Sequence, residues 1–356
     1  MVKLLIVTGS GRSGTSSVAG TLKRFGFHIP QPEVATDDNN PRGYYEPLWV
    51  ADFHKYWLNA LPVRTIDTRP HAGDLAMASV TPEREEELRS WLAAELAPLQ
   101  GAAEAVVVVK ETRAYWVYPL WQRVAEATGA EVSSLTMLRH PTQVVRSRDS
   151  AYLADKSDEL RRKREVANVA AWMNSIFVTE RATRDNPRAF VPYYDLIGDW
   201  RAAMTRACGQ LGLDPGDLTA PHDVDDFLTT SLNRSSDSWE GLAVPDDLRG
   251  QAEATWAAAT TLVETPHDAA AMAELDRLAA DYAAYFEVAA AIANDETAMH
   301  VVRTKRDHEG RLREKTKRVE RQAARIKALE AEVASLRADP GAGRAKARIK
   351  GLLGRS

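Results

Sequence analysis

The 356-residue chain contains a single cysteine, Cys208. A lone thiol excludes an intramolecular disulfide framework and any cysteine-rich zinc site. Histidine is scarce as well, and no pair of His or carboxylate residues recurs at ligand spacing, so no metal is expected. No apolar run approaches the ~18–20 residues that span a bilayer. The opening Met1–Thr8 stretch is too short for a signal peptide, and Gly, Ser and Arg follow at once, so a cytoplasmic, reducing location is expected. What is present suits a globular protein: 44% apolar and 27% charged residues exclude disorder throughout and a collagen-like repeat.

The formal charge of −4 hides an asymmetry. Residues 303–356 hold 17 Lys and Arg against 7 Asp and Glu, whereas the preceding 302 residues hold 29 basic against 43 acidic. An acidic body with a basic end implies a separate partner or surface for that end. Arg outnumbers Lys 34 to 12 and alanine is abundant, a bias expected of a GC-rich bacterial gene.

Residues 3–8 read as a buried strand, followed by a glycine-rich turn and a helix over 15–26. The Pro/Asp/Asn-rich segment 30–43 is loop. A helix over 46–61 carries an aromatic face, and Thr81-Pro-Glu-Arg opens another, with proline at the first helical position. Further strands are expected at 106–109, 132–138 and around 190–194, with a long helix at about 158–184. Strands alternating with helices predict an α/β fold, a parallel sheet covered by helices. One domain is expected over 1–298, its last part, 245–298, being Ala-rich and helical. A coiled-coil helix is expected over 299–338, its heptad running from 305 onward, with Leu312, Val319, Ile326 and Val333 at one seam position and Lys315, Gln322, Leu329 and Leu336 at the other. β-Branched residues opposite leucines favour a two-stranded coiled coil, hence a homodimer. The basic tail 339–356 mixes Arg and Lys with Ala, Ile and Leu, a pattern suited to peripheral contact with an anionic membrane surface. It lacks aromatics, which argues against nucleic acid.

The strongest motif is Gly9-Ser-Gly-Arg-Ser-Gly-Thr-Ser16 between the first strand and its helix. Unpaired amides at a helix N-terminus, together with the helix dipole, form an anion cradle. The spacing is close to a Walker A loop, yet Thr15 stands where that loop requires lysine. No apolar strand ending in a magnesium-binding aspartate is found. The cation lies inside the loop instead, at Arg12. The plainer reading is a glycine turn that binds nothing. A second signal follows the third strand: Arg139-His-Pro, then Ser147 eight residues after the arginine. By itself it reads as a surface arginine capping a loop.

Taken together, the two signals resemble the sulfotransferase family, whose members use 3′-phosphoadenosine 5′-phosphosulfate (PAPS) as donor. The resemblance covers roughly residues 3–235 and implies a P-loop-like fold. It implies that Gly11, Arg12, Ser13, Gly14, Thr15 and Ser16 hold the 5′-phosphosulfate and that Arg139 and Ser147 hold the 3′-phosphate. Asn40-Pro-Arg-Gly-Tyr-Tyr-Glu46 is similar to a bacterial-type segment of the family, and Val108-Val-Lys110-Glu-Thr-Arg113 to a strand ending in Lys-Asp-Pro-Arg, with Glu-Thr in place of Asp-Pro. Phe227–Arg234 is similar to a late segment that closes over the nucleotide, which adds Arg234 to the donor site.

Sulfuryl transfer builds charge on the bridging and equatorial oxygens, so positioning and electrostatics dominate it. Arg12 and Lys110 are the expected stabilisers of the leaving group. Glu46 is the expected base for the acceptor hydroxyl; the plainer reading is a carboxylate at a helix N-terminus. Glu111 should point to the opposite face of its strand from Lys110. Trp49, Tyr56, Trp57, Tyr115 and Trp116 form either a sugar-stacking wall or core. The acceptor is a hydroxyl of a carbohydrate, glycolipid or other small molecule. A P-loop small-molecule kinase and a degenerate nucleotide domain acting as a coiled-coil interaction protein are the alternatives.

Overall fold

The computed structural model describes residues 2–38, 40–61, 63–101, 105–228 and 237–338. Arg234 and the basic tail 339–356 lie outside the described residues, and so do the readings attached to them.

The elements alternate as the sequence pattern requires. In chain order they are β1 (Lys3–Thr8), α1 (Thr15–Arg24), α2 (Leu48–Ala60), α3 (Ala72–Ala78), α4 (Pro82–Leu96), β2 (Val106–Lys110), α5 (Tyr118–Thr128) and β3 (Glu131–Leu138). There follow α6 (Pro141–Tyr152), α7 (Asp158–Ala182), β4 (Arg188–Pro192), α8 (Tyr193–Gly198), α9 (Trp200–Leu211), α10 (Val224–Phe227), α11 (Asp246–Thr261) and α12 (Ala269–Ala338). The four strands form one parallel sheet in the order β2-β1-β3-β4. Side chains alternate across it: Leu5 and Val7 join one core with α1 and α9, Leu4 and Ile6 join another with α2, α4 and α5. Both faces are covered, which is why the strands are near-continuous apolar runs. A third cluster gathers Leu138, Phe190 and residues of α6, α7, α11 and the start of α12.

Local chemistry sets the boundaries. Pro47 caps α2, so that helix starts at Leu48 and leaves Glu46 in the preceding loop. Thr81 caps α4 by accepting from the amide of Arg84, with proline at the first position. The fourth strand ends at Pro192, and Tyr193 already belongs to α8. Cys208 is buried in α9, and burial pushes its thiol up to about 12.

The chain divides into two units, Met1–Phe286 and Glu287–Ser356. In the first, α12 contributes Leu275, Leu278 and Tyr282 to the core. In the second, the helix continues to Ala338 and every described residue is exposed, including Leu312, Val319, Ile326, Leu329, Val333 and Leu336. No helix among the described residues is long and apolar enough to cross a membrane.

One buried charge locks β4 to its surroundings. The Arg188 side chain is fully buried and lies 3.1 Å from the equally buried Glu180 of α7. It also donates to the backbone oxygens of Glu180 and Pro266, at 2.8 Å each. Glu180 also pairs with Arg184 at 2.5 Å, so it keeps a counter-charge when Arg188 is removed. What is lost is the set of buried hydrogen bonds, with the Pro266 carbonyl left unsatisfied, at a cost of roughly 1–3 kcal/mol. Arg188→Met is therefore expected to lower the unfolding free energy by that amount in urea titration; a loss under about 0.5 kcal/mol would contradict this account.

Candidate functional site

All four strands point their C-terminal ends at one cleft of about 1680 Å³. This is the edge where ligands of open parallel sheets bind. β1 delivers Gly11, Arg12, Gly14, Thr15 and Ser16; β2 delivers Lys110; β3 delivers Arg139; and β4 delivers Tyr193. From α6 comes Ser147, and from the loop before α2 come Asn40, Arg42 and Glu46.

The β1–α1 loop is closely held. Gly9 has φ +132°, and a Cβ there would lie 2.7 Å from the Met137 carbonyl oxygen. Gly14, at φ +91°, caps α1, and its missing Cβ makes room for the Tyr193 ring, which would stand 2.2 Å away. Arg12 takes a left-handed backbone, φ +77°, without being glycine. Its carbonyl accepts from Arg139 Nη1 at 2.9 Å. Thr15 and Ser16, in the first turn of α1, have amides with no helical acceptor. Ser13 is buried with its hydroxyl 2.6 Å from that of Ser10, so this side chain turns into the protein.

The β1–α1 loop and the Arg139–Ser147 segment, far apart in sequence, meet at the cleft. Arg12 Nε donates to Ser147 Oγ at 3.0 Å. Arg139 also donates to Gln143 Oε1 at 3.0 Å, and its guanidinium lies 4.5 Å from the centre of the Tyr193 ring. Burial pulls Arg139 below its ordinary pKa, with Arg12 adding to the effect. Among the described residues neither arginine has a carboxylate within 4 Å; they bond instead to hydroxyl, carbonyl and amide oxygens. No group of three His, Cys, Asp or Glu side chains among the described residues is placed to share a metal ion.

Beside this cradle, Lys110 Nζ donates to Glu46 Oε1. Lys110 is buried and Glu46 nearly so. Burial pushes the Glu46 carboxyl above the ordinary carboxylate range, against the opposing pull of Lys110. Glu111 follows Lys110 directly and carries its carboxylate to the α2 side, 2.6 Å from the buried His54 Nδ1, while Lys110 reaches Glu46. It also accepts from the Arg113 amide at 2.8 Å and from Arg113 Nη1 at 2.9 Å. Burial opposes its charge, but the His54 hydrogen bond and the nearby His54 and Arg113 charges outweigh it and hold Glu111 below the usual range. The aromatic residues, read from sequence as a wall or as core, are packing: Trp49 stacks on Phe53 and Trp91, Trp57, Tyr115 and Trp116 are buried, and Tyr56 is exposed. None of them lines the cleft, whose tyrosines are Tyr44, Tyr152 and Tyr193. Arg148, Asp149 and Glu165 also face it, and sequence reasoning missed all three.

No family model matches the chain, and no curated protein matches it at a significant level. Solved structures similar to it include the sulfotransferase domain of the Synechococcus PCC 7002 olefin synthase, at 18% identity and a TM-score of 0.39 over 71% of this chain and 94% of that one. A sulfotransferase from Alicyclobacillus acidocaldarius aligns at 16% identity and 0.36, over 75% and 97%. The sulfotransferase domain from the curacin biosynthetic pathway aligns at 13% and 0.37, over 79% and 97%.

Asp149 offers a test of the electrostatics that needs no ligand. Burial, with the Glu165 carboxylate beside it, pushes Asp149 up to about 6. Its Oδ1 is buried and finds no partner among the described residues. An unfolded aspartate titrates near ~3.9. Between those values the folded chain keeps a proton that the unfolded chain has lost, so this group's contribution to stability falls as pH rises through that window and then levels off. Asn imitates the protonated form at every pH. The melting-temperature gain of Asp149→Asn over wild type is thus expected to be near zero at pH 4 and positive at pH 7.5; an equal difference at both would refute the assignment.

Proposed function

We propose that the chain is a sulfotransferase that moves a sulfuryl group from PAPS to a hydroxyl acceptor. The observation that carries this reading is the convergence of the Arg12 loop, Arg139 and Ser147 with the Lys110–Glu46 pair at one edge of a parallel sheet. The cradle offers amides and two uncompensated guanidiniums, which fits a donor with separate phosphate and phosphosulfate groups. Thr15 in place of the Walker lysine fits a donor with no γ-phosphate.

In this reading Arg139 and Ser147 hold the 3′-phosphate, and the loop Gly11–Ser16 holds the phosphosulfate. Arg12 and Lys110 face the bridging oxygen, on which charge builds as the S–O bond to phosphate breaks. Glu46 takes the acceptor proton as the new S–O bond forms. Its raised pKa favours this role, since a base that holds a proton more tightly removes one more readily.

Titration with PAPS, its desulfonated product and ATP tests the proposal. Binding of the first two without ATP is expected. Tight ATP binding without the product would make the chain a kinase-like protein, and binding of none would favour the interaction-protein alternative. With an acceptor found by labelled-PAPS screening, Glu46→Gln is expected to lower kcat ~10²–10⁴-fold while donor affinity holds.

The second unit supports a homodimer in the same proposal. Val319, Ile326, Val333, Leu329 and Leu336 sit at seam spacing on a helix that leaves them exposed in a single chain. Light scattering is expected to give a dimer that becomes a monomer in the double variant Ile326→Lys/Val333→Lys; a monomeric wild type would overturn the pairing.

A further inference from the structure

The cleft holds more positive charge than the donor reading uses. Lys110 is paired with Glu46 and Arg113 with Glu111. Arg146 donates to the carbonyls of Ser238 and Glu240. The donor reading takes Arg12 and Arg139. Arg42 is exposed and donates to the Phe227 carbonyl, and Arg161 lies 3.8 Å from Asp158. Arg148 remains as a cleft arginine outside these pairings. It is partly buried, and its Nε donates to the neutral Asn168 Oδ1 at 3.1 Å. Among the described residues no carboxylate lies within 4 Å of it, its neighbour Asp149 included. A guanidinium has five N–H donors, and Asn168 accepts from one. Burial pulls its pKa below the ordinary arginine value, and the nearby Arg12 charge adds to this. A desolvated cation without a counter-charge is costly unless a ligand supplies the anion.

We infer that Arg148 binds an anionic substituent of the acceptor, so that the hydroxyl compound sulfated here also carries a carboxylate, phosphate or sulfate. The inference rests on the sulfotransferase reading above. Its side-chain contacts separate this arginine from Ser147. Ser147 and Arg148 are consecutive in α6, and consecutive helical residues face different directions. Ser147 meets Arg12, whereas Arg148 meets Asn168 of α7 and lies 5.5 Å from the centre of the Tyr152 ring. Arg148, Tyr152, Tyr44 and Glu46 line the same cleft, so an acceptor bound there can reach the Arg148 guanidinium. A planar fork of N–H donors suits the two oxygens of a carboxylate or oxyanion. Nη1 is also 3.5 Å from where a Cβ of Gly11 would stand, so the fork reaches the rim of the loop itself.

The full chain, first saturated with the desulfonated donor, is titrated calorimetrically with inorganic sulfate in wild type, Arg148→Gln and Arg148→Lys. The expected result is sulfate binding in wild type that weakens at least tenfold in Arg148→Gln and largely returns in Arg148→Lys. Donor-product affinity should stay within twofold in all three. Equal sulfate binding in wild type and Arg148→Gln, or no sulfate binding in wild type, overturns the inference. A tenfold loss of donor-product affinity in Arg148→Gln also overturns it, by assigning Arg148 to the donor. Failure of wild type to bind the donor product is a different outcome, which sinks the sulfotransferase reading itself.

Discussion

The hydrogen bond from the Arg139 guanidinium to the Arg12 carbonyl is the contact on which the cleft depends. It ties the end of β3 to the loop after β1 and holds a non-glycine residue in a left-handed backbone, which costs of order 1–2 kcal/mol when unsupported. Arg139 is fixed in turn: its own carbonyl accepts from Trp172 Nε1, its Nε reaches Gln143, and its flat face rests on Tyr193. Tyr193 then fills the space that Gly14 leaves open. The loop therefore takes its shape from β3, β4 and α7 as much as from its own glycines. One residue can both bind an anion and hold the frame that binds it.

Parallel strands give this arrangement a further property. Their C-terminal ends lie together at one edge, so a residue just past each strand enters the same small volume without long loops. Neutral and acidic partners then divide the cations into two kinds. Lys110 and Arg113 are compensated by Glu46 and Glu111, while Arg12, Arg139 and Arg148 are bonded to hydroxyl, carbonyl or amide oxygens. The body of the chain is acidic, so this local excess of uncompensated guanidinium is a property of the site and not of the surface.

The strand–loop–helix unit was legible in the sequence because its signals are local: an apolar run, glycines at fixed offsets and a helix behind them. The four strands fell close to where their apolar runs lie for the same reason. Contacts that join distant segments left no such trace. Lys110 and Glu46 are 64 positions apart, Arg12 and Ser147 are 135 apart, and only the family resemblance pointed to either as a group. The His54–Glu111 contact and the Arg148–Asn168 bond had no signal at all, since each joins residues of ordinary appearance across elements. The aromatic residues around 46–61 and 115–116 could be read two ways because helical spacing serves core and cleft alike; burial decided it.

Cys208 carries a consequence for anyone handling the protein. The thiolate is the form that alkylates, oxidises or exchanges disulfides. A thiol buried in α9 and pushed up to about 12 is only about one part in ten thousand ionised at pH 8. The native chain is therefore expected to react only slowly with maleimides. Any cysteine placed on the exposed helix would be its single fast-reacting handle, ready for a spin label or fluorophore without first removing the one that nature supplied.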